Sequence, residues 1–121
     1  MEFQFDHERL KVYQQAVAFA GWCDGVVERC TGKAAVKDQL DRASTSIVLN
    51  VAEGNGKFSA KERTRFFEIA RGSALECAAC LDLLIAKKRL TIEDAHPGKA
   101  QLQQIVSMLF GLINNASRRN H

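Results

Sequence analysis

Residues 39–76, QLDRASTSIVLNVAEGNGKFSAKERTRFFEIARGSALE, constrain the fold more than any other part of the chain. Apolar residues recur at helical spacing on both sides of a single break, Gly54-Asn55-Gly56. Val36, Leu40, Ala43, Ile47 and Val51 make the stripe of the helix before the break, expected over about Ala34 to Glu53. Asn50 falls within that stripe, where an amide must find partners or cost roughly 1–3 kcal/mol. Ser73 and Glu76 on the following helix are the expected partners. That helix opens on a capping box, with Ser59 set to accept from the N–H of Glu62 and Glu62 set to reach back. It is expected to run to about Lys88. Phe66, Ala70, Ser73, Cys77, Leu81 and Leu84 form its stripe, widened by Phe67, Ala74, Ala78 and Ile85.

The flanking segments repeat the helical period. Leu10, Tyr13, Val17, Ala20, Cys23, Val27 and Cys30 predict a helix from about His7 to Cys30, ended by Thr31-Gly32, where glycine suits a left-handed cap. Leu102, Ile105, Val106, Leu109, Phe110, Leu112 and Ile113 predict a last helix. Thr91 with Asp94 offers it a cap. Pro97 either sits at its first position or interrupts a helix that starts earlier. Ser117 to His121 form a polar tail expected to fray. Four helices joined by short connections predict an all-α, up-down-up-down four-helix bundle spanning residues 1–121 as a single domain. With 121 residues, folding buries roughly two-thirds of the surface, enough for a core without staples.

Composition excludes several classes. The longest apolar run, Ala16 to Cys23, has eight residues, far short of the roughly 20 that span a bilayer. The start, MEFQFDHERLK, is polar and acidic rather than a secretory signal, so no membrane association and a cytoplasmic location are expected. The net charge of +3 and pI near 8.8 permit a nucleic-acid partner without requiring one. Cys23 and Cys30 lie seven residues apart, about 10 Å along a helix, too far for one metal ion to take both. Cys77-Ala-Ala-Cys80 has no second pair or nearby histidine to complete a site. Four buried thiols packed as small apolar residues are therefore expected.

The strongest candidate for function is a basic group after the central break. Lys57, Lys61, Arg63 and Arg65 fall within nine residues, opposed there only by Glu62. The glycine turn could aim N–H groups outward, and the next helix adds a positive dipole end, together suited to a phosphate or an RNA backbone. The competing reading is a glycine cap, a capping box and a solvated charged face. Leu49, Leu75 and Leu83 lie off the main stripes among charged residues and suggest a subunit contact. Arg42, Glu53, Arg71 and Glu76 are expected to pair along a polar edge. Glu93-x-x-His96 stands alone, whereas a di-metal bundle needs two such motifs and two more inward glutamates. His7 and His121 lie near the termini. No catalytic residue, metal ligand or cofactor motif is identified.

The middle of the chain resembles the four helix bundle protein family, also called the rRNA intervening-sequence-encoded protein family. Its signature is similar to Gln39, Leu40, Arg42, Ala43, Ser46, Ile47, Asn50, Ala52, Glu53 and Gly54, followed by Arg65, Phe66, Ile69, Ala70, Gly72, Ser73 and Glu76. Leu10, Val12, Tyr13 and Gln14 resemble the family's start, and Met108, Leu109, Leu112 and Ile113 its end. Val48 stands where many members have proline, and Leu49 where a small polar residue is common. The resemblance implies a four-helix bundle that forms a homo-oligomer, with a pentameric ring as the expected form. Some members are encoded within intervening sequences of ribosomal RNA genes. A distant branch serves diversity-generating retroelements beside a reverse transcriptase, and this chain resembles the general branch more. The family offers no catalytic residues to carry over.

The leading expectation is a non-enzymatic oligomeric bundle that binds nucleic acid, structured RNA in particular, through Lys57, Lys61, Arg63 and Arg65. The alternative is a protein-interaction scaffold with no nucleic-acid contact. An enzyme comes third.

Overall fold

The computed structural model describes residues 2–30, 32 and 35–119, with side chains through residue 115. Thr31, Ala34 and His121, named in the sequence expectations, lie outside the described residues. The four helices are α1 (Lys11–Arg29), α2 (Ala35–Asn55), α3 (Ala60–Ala86) and α4 (Ile92–Arg119), preceded by one 3-10 turn, Asp6–Arg9. Each helix packs on the next and α1 closes against α4. This is the up-down-up-down bundle, and among the described residues there is no strand. Among them, too, no helix is long and apolar enough to cross a membrane.

The core runs along the shared axis. Phe19, Leu40, Ile47, Leu81, Leu84, Ile105 and Leu109 are its largest fully buried side chains. In α2 the predicted stripe holds, with Leu40, Ala43, Ile47 and Val51 buried and Ser44 beside them. Ser44 donates its hydroxyl to the Asp41 carbonyl at 3.0 Å, so its burial leaves no orphan donor. In α1 the stripe is shifted. Val12, Ala16, Phe19, Cys23 and Val26 are buried, whereas Val17 is exposed. Apolar residues nearly encircle this helix, so spacing alone admits two faces, and burying the bulky Phe19 decides between them. In α3, Phe67 rather than Phe66 enters the core. In α4, Ala95, Leu102, Ile105 and Leu109 are buried while Phe110 is exposed.

The helix ends carry most of the corrections. The 3-10 turn replaces the first turn expected at His7, and Leu10 is extended before α1 begins. Gly32 has φ of +92°, the left-handed conformation expected beyond the end of α1. Gly54 does not break α2: it is helical and buried, and a Cβ there would lie 2.8 Å from Phe67. Its lack of a side chain serves packing, and the turn falls at Gly56. Ser59 accepts from the Glu62 N–H at 3.1 Å, whereas the Glu62 carboxylate turns to Arg65. Thr91 accepts from the Asp94 N–H at 3.0 Å, so α4 starts before Pro97, which lies inside the helix. The backbone of α4 continues through Ser117, where a frayed tail was expected.

Helix α3 ends in a left-handed residue that is not glycine. Lys88 has φ of 60°. Its N–H bonds Ile85 O and the Arg89 N–H bonds Leu84 O, both at 2.9 Å, the paired pattern of a Schellman cap. An L-residue there costs about 1–2 kcal/mol that glycine does not. Lys88→Gly is therefore expected to raise stability by about 1 kcal/mol, read as a higher urea midpoint with an unchanged slope.

Candidate nucleic-acid interface

The corner between α2 and α3 gathers the basic residues, and the structure gives them different tasks. The Arg63 guanidinium donates through Nη1 to the Phe58 carbonyl at 2.7 Å and the Lys57 carbonyl at 3.1 Å. It clamps the loop. Lys57 lies 3.5 Å from Glu53, and Arg65 lies 3.5 Å from Glu62. Both cations also sit over the half-buried Phe66 ring, each 5.2 Å from its centroid. Lys61 is exposed and pairs with no carboxylate among the described residues. These exposed ion pairs are worth little and yield readily to a stronger anion.

The loop does not form a cradle of outward N–H groups. The Gly56 N–H bonds Ala52 O at 3.2 Å and Glu53 O at 3.1 Å, and the Lys57 N–H bonds Gly54 O at 3.2 Å. The carbonyls that end α2 consume them. What the loop presents instead is Phe58, whose relative exposure is 101%. The sequence reasoning missed this residue, although a signal was present. Phe58 precedes the capping Ser59, the place from which an apolar side chain usually staples onto the residue five positions later. That residue is Arg63, already bound to the loop carbonyls. With no apolar partner, the ring stays in solvent. The corner thus offers one bare aromatic face on the same loop and helix start that carries Lys57, Lys61 and Arg65.

Other expected constellations fall apart. Asn50 finds its partners on its own helix, donating to Ser46 O at 2.9 Å and Ser46 Oγ at 3.0 Å. The hydroxyls of Ser46 and Ser73 meet at 2.8 Å, so Ser73 is reached only through Ser46. Glu76 accepts from Gln39, which in turn accepts from Arg42 at 2.9 Å. Glu53 goes to Lys57, and Arg71 forms no ion pair among the described residues. The polar edge of four paired charges is absent because Gln39 intervenes and Arg71 points between α3 and α4.

Leu49, Leu75 and Leu83 are all exposed. Leu75 lines a groove between α3 and α4 that includes neither Leu49 nor Leu83. Eight helical residues separate Leu83 from Leu75, a rotation of about 80°, so the two leucines face different directions.

The four cysteines are buried and free. Burial pushes the Cys23 thiol up to about 12, against a smaller opposing effect of its hydrogen bond with Ser44. Burial raises Cys77 and Cys80 as well, with nearby thiols adding at Cys77 and Glu76 adding at both. Such thiols are weak nucleophiles, because the thiolate is the reactive form. Among the described residues, no group of three His, Cys, Asp or Glu side chains is placed to hold a metal ion. Glu93 and His96 are both exposed near the start of α4.

An all-helical up-down-up-down bundle with a basic, aromatic corner is the class of protein that these features define. The family described as 23S rRNA-intervening sequence protein matches residues 8–111, and the chain belongs to that family. A solved structure with the same fold is a protein of unknown function from the S23 ribosomal protein family of Bacteroides thetaiotaomicron. It is 23% identical, with a TM-score of 0.78, covering 84% of this chain and 97% of its own. No curated protein matches the chain.

Proposed function

We propose that this chain is a non-enzymatic, homo-oligomeric bundle that binds structured RNA at the α2–α3 corner. The observation that carries the reading is Phe58, fully exposed within the nine-residue segment that holds Lys57, Lys61 and Arg65. An aromatic face stacks an unpaired base, and cations beside it meet the flanking phosphates. Arg63 supports the loop that presents them. The family description names a 23S rRNA intervening sequence, and that genetic association is what turns the reading toward RNA. A cytoplasmic location fits that partner.

Removing the ring tests the corner directly. A stacked base is worth roughly 1–3 kcal/mol by alanine substitution. Phe58→Ala is expected to weaken binding of a hairpin RNA by about tenfold or more at fixed salt, with the salt slope unchanged, as measured by fluorescence anisotropy. Unchanged affinity would exclude Phe58 as a stacking platform.

The family resemblance supports assembly, with a pentameric ring as the implied form; Leu49, Leu75 and Leu83, exposed on different faces, would each have to meet a separate neighbour. A ring repeats one weak corner around an axis, so a single RNA meets several copies with avidity. Light scattering at micromolar protein is expected to give a mass several times 13.4 kDa. A monomer would refute the assembly. Protein-scaffold function is the second reading, and it predicts partner capture that tolerates salt.

A further inference from the structure

The register of α3 against α4 fixes what stands beside the basic corner. Lys99 on α4 donates to Asp82 on α3 at 2.6 Å. Eleven residues away along each helix, toward the corner, Arg71 and Phe110 line one groove. The two helices are therefore antiparallel in a single register over this stretch. Extending it by six residues sets Arg65 level with Ala116, and by nine sets Glu62 level with Arg119. Packed helices keep their axes about 8–10 Å apart. The last turn of α4, with Arg118 and Arg119, thus stands one helix away from the first turns of α3, with Lys61 and Arg65. The end of α2 lies at the same level, because Gly54 packs on Phe67 of α3.

The length of α4 is what carries these arginines to the corner. Gly98 meets Trp22 of α1, so α1 begins level with Leu109 and α4 runs ten residues further, about 15 Å. Among the described residues the 3-10 turn packs on α1 and α2 and not on α4, so this overhang has α3 as its helical neighbour. From Ala95 to His121 the sequence holds no aspartate or glutamate. Its cations there are Lys99, Arg118 and Arg119, and Lys99 is already held by Asp82. The corner carboxylates are engaged as well, Glu53 with Lys57 and Glu62 with Arg65. A helix C-terminus favours cations wherever it lies. That accounts for arginines at the end of α4 but not for the level at which α4 ends.

We propose that the last turn of α4 is a second arm of the RNA site, with Arg118 and Arg119 meeting phosphates of the RNA held at the α2–α3 corner. The partner is selected by charge complementarity. Lys57, Lys61, Arg65, Arg118 and Arg119 come from neighbouring elements at one end of the bundle, and a polyanion with charges repeated along its backbone meets them together. The inference rests on RNA binding at the corner and names the residues, distant in sequence, that complete that site.

The test is fluorescence anisotropy of a labelled hairpin RNA with the full-length protein across a salt series. Arg118/Arg119→Gln is expected to flatten the slope of log affinity on log salt by about 1.4–1.8, two contacts at roughly 0.7–0.9 each, and to weaken binding about tenfold at low salt. Arg118/Arg119→Lys keeps both charges and is expected to retain the slope. Lys87/Lys88→Gln removes the same charge at the opposite end of the bundle and is expected to leave the slope unchanged. Circular dichroism melts confirm that each variant folds. An unchanged slope in Arg118/Arg119→Gln, whatever its melt, would overturn the proposal, and so would equal flattening in Lys87/Lys88→Gln. Lys57/Lys61/Arg65→Glu separates this failure from failure of the corner. Binding lost in that variant, beside an unchanged slope in Arg118/Arg119→Gln, would remove the α4 arm and keep the corner. No binding by the parent protein, or equal binding by the triple variant, would overturn both.

Discussion

Gly98→Ala is expected to destabilise the protein by about 1–3 kcal/mol, a loss of several degrees in melting temperature. A Cβ built on Gly98 lies 2.2 Å from Trp22 Cζ3, 2.3 Å from Cη2 and 2.8 Å from Cε3. An indole ring is rigid, so the whole side chain must move. Trp22 is not free to do so without cost, since it stacks on the fully buried Phe19 with ring centroids 5.8 Å apart. Alanine recovers roughly 0.5–1 kcal/mol of helix propensity, and that gain is included in the expected net loss. Gly72→Ala is the matched control. Nothing lies within 4 Å of a Cβ at Gly72, so the same change there is expected to stabilise by about 0.5–1 kcal/mol. Thermal melts of the two variants should move in opposite directions. The chain has one tryptophan, so its fluorescence reports the displaced ring in the first variant and stays unchanged in the second. A melt for Gly98→Ala equal to or above that of the parent protein would contradict the packing of α1 on α4.

The second large effect separates binding from support within the basic cluster. Lys57/Lys61/Arg65→Glu reverses three cations while retaining the Arg63 clamp. Each phosphate contact adds roughly −0.7 to −0.9 to the slope of log affinity on log salt. The triple variant is expected to flatten that slope by about 2–3 and to lose about a hundredfold or more in affinity at low salt. Its melting temperature should change little, because its ion pairs are exposed. Arg63→Ala is expected to behave in the opposite way. It removes a charged donor from the Lys57 and Phe58 carbonyls, costing about 1–3 kcal/mol of stability. Salt dependence should be largely retained. A salt slope flattened in Arg63→Ala as much as in the triple variant, with both still folded, would place Arg63 on RNA and contradict its role as a clamp.

Sequence spacing revealed the helices well because each carries its own 3.6-residue period, and α2 shows the reason most clearly. Leu40, Ala43 and Ile47 are separated by polar residues alone, and only Val48 and Leu49 interrupt that contrast before Val51, so one face is marked for burial. In α1 that contrast is missing, and the predicted face was wrong at Val17. Gly54 misled because a glycine can either release a backbone or admit a neighbour's ring, and only Phe67 reveals which. Pro97 left two starts open, and the Thr91 cap decides between them. The basic cluster was visible as composition, but the division of labour within it depends on distances. The clamp by Arg63 and the use of the loop N–H groups by α2 carbonyls arise from tertiary geometry. Phe58 was overlooked because an aromatic before a helix cap usually packs, and Arg63 in the stapling position is what frees it.

Fluorescence anisotropy of a labelled hairpin RNA and a matched DNA duplex across a salt series, comparing the parent protein with Lys57/Lys61/Arg65→Glu, tests the central claim most directly. Binding is expected to weaken as salt rises, to favour the RNA with its unpaired loop, and to be lost in the variant. No binding at low salt, or equal binding by the folded variant, would contradict it.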